Sequence, residues 1–244
     1  MKTLKRIIPI LLILLAMFFV VGCKKNKTKS ADDLSKALNE TVSTYKNASN
    51  VQAKITLTST STETIDVKYS LENGKIKALA TVLTDENGEV SVYVKDGTCY
   101  LARYNSPKEK YSATSEELQK IADTYTIDAY IKKALEIFND QFFKASSAEK
   151  TSDSSYKLTC DLFSLQVSDD TPDDKIIEAE AQIEKLQAMD SVSLTLNLNG
   201  DLIASLEGTF VKEGKTSTIK IEFLNTNSFE VSVPNESEYT ARQQ

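Results

Sequence analysis

The sequence predicts an α+β fold built on one large antiparallel sheet, and three observations predict it. Long stretches alternate apolar and polar residues with a period of two, as Val51, Ala53, Ile55 and Leu57 do against Gln52, Lys54, Thr56 and Thr58. Turn dipeptides separate these stretches at hairpin intervals. Three other stretches repeat their apolar residues at helical spacing. Clean alternation gives a sheet one dry and one wet face, and the amphipathic helices are the cover available for the dry one. The expected architecture is a curved sheet of about ten strands, a half-barrel, whose concave face is covered by the three helices.

The elements follow in order. Leu34, Ala37, Leu38, Thr41, Val42 and Tyr45 form an apolar stripe on a helix from about Asp32 to Lys46. A meander of five strands then runs to about Tyr104, turned by Asn73-Gly74, Asn87-Gly88 and Asp96-Gly97, which supply the positive-φ positions of tight hairpins. Thr114 and Glu117 have capping-box spacing, and Ile127, Tyr130, Ile131, Ala134, Leu135, Phe138 and Phe142 line a helix ending near Ala145. A strand is expected from about Ser155 to Val167. Thr171, Pro172, Asp173 and Asp174 start a third helix with a cap, a first-turn proline and two acids on the positive end of its dipole. Four strands close the chain: one from Val192 to Leu198, two hinged at Asn199-Gly200 and Glu213-Gly214, and a last one from Phe229 to Val233.

The amino end carries the most specific signal. Lys2, Lys5 and Arg6 precede an apolar run from Ile7 to Val21 that covers roughly 22 Å as a helix, shorter than the hydrocarbon core. Val20-Val21-Gly22-Cys23 ends that run and resembles the cleavage box of bacterial lipoproteins. The resemblance implies a signal peptide over residues 1–22, cleavage between Gly22 and Cys23, and acyl chains on the Cys23 thiol that hold the mature chain on the outer face of the cell membrane. Lys24, Lys25, Lys27 and Lys29 alternate with polar residues in a hydrated tether over 23–31, and residues 32–244 form a single domain.

The domain also carries a family resemblance. Its opening helix, the meander segment Tyr93-Val94-Lys95-Asp96-Gly97-Thr98-Cys99-Tyr100, Lys110-Tyr111, the central helices and the closing Val231-Ser232-Val233-Pro234 resemble the bacterial lipoprotein-carrier and mycobacterial glycolipid-carrier half-barrels. Tyr111 stands where those proteins often have a tryptophan. The resemblance implies a cavity between sheet and helices for an acyl chain or other apolar ligand, lined by Ile55, Leu57, Val67, Tyr69, Val92, Leu194, Leu196, Ile221 and Phe223. Read as residues alone, the same side chains serve equally to fill a solid core. The alternative function is a cell-envelope interaction lipoprotein that contacts a partner through Asn105 to Ala113 and Ser146 to Ser155.

Composition narrows the rest. The absence of histidine removes the commonest general base and zinc ligand, and the seven glycines form no phosphate loop or dinucleotide fingerprint, so no catalysis and no cofactor are expected. Removing three basic residues with the signal leaves 26 against 35 acids, a balance of minus nine that disfavours nucleic acid as a partner. Asp169, Asp170, Asp173 and Asp174 lack the glycine and distal glutamate of an EF-hand and read as a helix start, not as a metal site. Cys99 and Cys160 are expected on opposite faces of the sheet as two free thiols.

Overall fold

A computed structural model describes residues 28–227 and 229–242. The cleavage box, Cys23, the apolar run and the lysines from Lys2 to Lys27 lie outside the described residues. Within them the chain is α+β, a single open sheet of twelve strands with five α-helices.

Helix α1, Ala31–Asn47, begins at a capping box in which Ser30 Oγ accepts from the Asp33 N–H at 3.2 Å and the Asp33 carboxylate accepts from the Ser30 N–H at 3.0 Å. The Ser30 N–H and the Ser30 hydroxyl, the latter at 2.8 Å, both donate to the Asp33 carboxylate and hold it below its usual pKa. The meander follows as β1 Asn50–Thr58, β2 Thr62–Glu72, β3 Lys75–Asp85, β4 Gly88–Lys95 and β5 Thr98–Ala102, and its turns place Asn73, Gly74, Asp96 and Gly97 at positive φ, as expected; of Asn87-Gly88 only Gly88, the first residue of β4, is at positive φ. Strand β6, Glu109–Ser112, leads to α2 Ser115–Tyr125, α3 Ile127–Ile137 and α4 Asp140–Lys144. Next come β7 Ser146–Lys150, β8 Ser155–Cys160, α5 Ile176–Gln187, β9 Ser191–Asn199, β10 Leu202–Lys212, β11 Lys215–Asn225 and β12 Thr240–Ala241.

The sheet order is β12-β6-β5-β4-β3-β2-β1-β11-β10-β9-β8-β7, antiparallel throughout except for the parallel β12–β6 pair. Two local meanders therefore meet at one central seam, where β1 pairs with β11. The register aligns the apolar alternation of every long strand on the same face, with Leu158, Leu194, Gly208, Ile219 and Leu57 in one row. Helix α1 packs over β10, α2 over β3, α3 over β1, and α4 over β7 and β8.

Several expectations need correction. The central helix is three helices. Thr126 is buried and turns its hydroxyl back to the Ala122 carbonyl at 2.7 Å, and Asn139 restarts the helix by accepting from the N–H groups of Gln141 and Phe142. Ser146–Lys150 is an edge strand, not a loop. The strand starting at Ser155 stops at Cys160, because Asp161 caps a 3₁₀ turn over Leu162–Ser164. Thr171 caps nothing; Pro172 opens a 3₁₀ turn over Asp173–Lys175 that passes into α5. Phe229 to Val233 pairs with no strand. That segment passes instead beside β2, β3 and β4, where Val231 is buried, and the chain ends as β12 on the edge of β6.

The covered face is densely filled. A Cβ added to Gly208 in β10 would lie 2.3 Å from Phe138 Cζ, so the ring rests directly on the strand backbone and only glycine fits beneath it. Phe138 contacts Phe142 edge-on at 5.0 Å and Phe210 at 5.9 Å. Thr41 is also buried there, and it is satisfied: its Oγ1 accepts from the Ile203 N–H and donates to the Ala37 carbonyl, both at 2.8 Å. On the other face Tyr239 meets Tyr100 edge-on at 5.4 Å, and the Tyr100 hydroxyl donates to Glu236 at 2.9 Å.

Candidate binding groove

Eight of the nine residues expected to line a cavity, Ile55, Val67, Tyr69, Val92, Leu194, Leu196, Ile221 and Phe223, are buried, and Leu57 is half-buried against them. The fold does bring them to one face, with Ile55 beside Ile221 and Phe223 close to Tyr45. They belong to the same cluster as Phe138, Phe142 and Phe143, and they line none of the four pockets described among residues 28–242. Burial drives the Tyr69 hydroxyl far above its ordinary pKa, with the Asp128 charge adding to the effect.

An apolar opening exists elsewhere. Between α3, α5 and the β10–β11 hairpin lies a groove of about 840 Å³ floored by Ile137, Leu186, Met189 and Phe210. Lys133, Lys185, Lys212 and Lys215 border it together with Glu136, Glu178 and Glu213. A smaller pocket of about 360 Å³ lies on the other side of α5, against Leu165 to Ser168, and shares Glu136, Ile137, Gln182 and Leu186 with the first. Helix α5 thus forms a wall between two openings. Of its twelve residues only Leu186 is buried, Ile177 is 80% exposed, and neither end has a side-chain cap. The stripe of Ile176, Ala179, Ile183 and Leu186 explains why it docks at all. Its floor partner Phe210 continues the aromatic stack from Phe138.

A second opening, about 850 Å³, is polar and lies among Tyr100, Lys110, Tyr111, Glu117, Glu236 and Arg242. Its charged groups are already engaged. Glu236 receives the Tyr100 hydroxyl and pairs with Lys110 at 3.6 Å, Glu117 caps α2 through Thr114, and the Arg242 guanidinium stands 5.5 Å from the Tyr111 ring. Burial first, then the Cys99 sulfur, pushes the Tyr111 hydroxyl up to about 12. These partners fasten the carboxyl-terminal segment to the sheet edge.

Cys99 and Cys160, the cysteines among the described residues, are both free, but the reason differs from the expected one. Cys99 pairs across with Val94 and Tyr111, and Cys160 alternates with Leu158, so both point to the covered face. Eight inter-strand steps separate β5 from β8, roughly 38 Å along the sheet, and no disulfide spans that. Burial raises both thiols above their ordinary pKa.

Asp169, Asp170, Asp173 and Asp174 are exposed, and no group of three acid, histidine or cysteine side chains among the described residues is placed to hold a metal ion. No helix among the described residues is long and apolar enough to cross a membrane. No protein-family model matches the chain, and no curated protein matches it significantly.

Proposed function

We propose that this chain is a lipid-anchored lipoprotein on the outer face of a bacterial cell membrane that binds a lipid or similar apolar ligand without transforming it. In this reading Cys23 carries the acyl chains after cleavage at Gly22, and the sheet curves about its helix-covered face as a half-barrel. The observation that carries the reading is the apolar-floored groove beside α5, whose volume falls in the usual range of ligand sites. The ligand site thereby moves from the packed dry face to its end.

The position of the tether is consistent with this. Lys29 pairs with Asp201 at 3.2 Å, at one end of β10, whereas the groove takes Phe210 and Lys212 from the other end. The eleven residues of β10 span roughly 36 Å, so the groove lies at the far end of the strand from Lys29.

The test is uptake of a fluorescent fatty acid by the wild-type protein and by Met189→Glu, which places a charge on the groove floor. Uptake by the wild type and about tenfold weaker uptake by the variant are expected, since a carboxylate on the floor opposes apolar contact and repels the fatty acid's own carboxylate. No uptake by the wild type overturns the ligand reading. Loss of palmitate labelling in Cys23→Ala checks the anchor separately. A second reading, a solid scaffold that contacts an envelope partner through its loops, draws on the filled interior under Phe138. It gains if the wild type takes up nothing.

A further inference from the structure

The groove has an uneven rim. Lys212 and Lys215 occupy directly opposed positions across the β10–β11 hairpin, an arrangement of like charges that weakens a strand pair. Lys133 from α3 and Lys185 from α5 converge on the same opening. None of these four lysines has a carboxylate within 4.0 Å among the described residues, although Glu136 and Glu213 border the groove and Glu178 is held by Lys175 at 3.1 Å. The chain as a whole is acidic, with a formal charge of −6. Four lysines against three carboxylates give the rim an excess of positive charge in an acidic protein, and the opposed Lys212 and Lys215 are a departure from the pattern that stability alone favours.

We infer that the groove takes an anionic single-chain amphiphile, its chain on Ile137, Leu186, Met189 and Phe210 and its phosphate or carboxylate among Lys133, Lys185, Lys212 and Lys215. The inference rests on the groove being a ligand site, as proposed above. Its recognition element is the negative headgroup. Ammonium groups on flexible stems suit such a headgroup because they can close on either a tetrahedral phosphate or a planar carboxylate without a fixed fork. The hairpin lysines gain most, since an anion between them relieves their mutual repulsion. Binding is therefore expected to weaken with added salt, as screening acts on exposed charges.

The experiment uses the full-length chain in phosphatidylcholine nanodiscs with three photoreactive probes of equal chain length: an alkyl phosphate, a fatty carboxylate and an uncharged fatty alcohol. Labelling is read by mass spectrometry on the peptides that carry Met189 and Phe210. At low salt the anionic probes should label about tenfold more than the alcohol, the gain that a few exposed ion pairs together give. The variant K133Q/K185Q/K212Q/K215Q should bring them down to the level of the alcohol, and K133R/K185R/K212R/K215R should keep the difference. Phosphate alone or carboxylate alone labelling above the alcohol supports the inference and names the headgroup. Equal labelling by all three probes overturns it and leaves the groove as an apolar site. Absence of labelling by any probe overturns the groove reading itself.

Discussion

Two residues of the same strand, on the same face, stand in opposite surroundings. Gly208 has no room for a methyl group beneath Phe138, whereas Phe210 floors an opening large enough for a ligand. The two are linked, because Phe138 touches both the strand at Gly208 and the ring of Phe210. A filled core thus supplies one rigid side of the groove, and the thinly held α5 supplies the other. The contrast shows how one sheet face divides its work: density at the centre provides stability, and incomplete cover at the end provides access.

Removing Phe138 attacks this contrast most directly. Phe138→Ala should cost about 3 to 5 kcal/mol by denaturant unfolding, and a cost near zero would show that the centre is not filled. Gly208→Ala should cost about 1 to 3 kcal/mol in the wild type and clearly less in the Phe138→Ala background, because the severe clash is with the Phe138 ring and only Ile219 Cγ2, at 3.2 Å, stays close. Leu196→Trp sharpens the same boundary. A hollow interior would accept the ring, whereas the fully buried Leu196 side chain predicts a loss of about 1 to 3 kcal/mol.

Alkaline pH probes the core chemically. Tyr69, Tyr111, Cys99 and Cys160 have folded pKa values raised by burial, so the unfolded chain loses its protons first. Their contribution is complete below the unfolded values, about 8.5 for the thiols and about 10 for the tyrosines, and is lost as pH rises through the folded ones. Unfolding midpoints should fall over that window, and Tyr69→Phe should flatten the fall. The smallest effect belongs to the open end: Ile177→Ser should change stability by no more than about 0.5 kcal/mol, as expected for an exposed side chain. A larger loss would mean that Ile177 packs against the protein and is not exposed.

The sheet was legible because its signals are local. Each Asn-Gly, Asp-Gly or Glu-Gly pair lies at the expected hairpin, and period two marks the strands on either side. Ser146–Lys150 gave no such signal, being short, polar and paired on one side only. The breaks at Thr126 and Asn139 were hidden by an apolar stripe that continues across them, although Asn139-Asp140 is itself a capping signal. The groove was illegible for a different reason. Ile137, Leu186, Met189 and Phe210 come from three separate stretches, and no periodicity within one stretch reports what remains uncovered after they assemble.

The seam between β1 and β11 also has a consequence in time. Strand β1 finds its inner neighbour β2 at once, but its other edge stays unpaired until Lys215–Asn225 has been made. At ordinary rates of synthesis the passage from Thr58 to Lys215 takes on the order of ten to thirty seconds. During that interval the middle of the future sheet is a raw edge. Lys54 lies in the centre of that edge, and a charge there discourages another chain from pairing with it. The lysine thus guards the strand that waits longest for its partner.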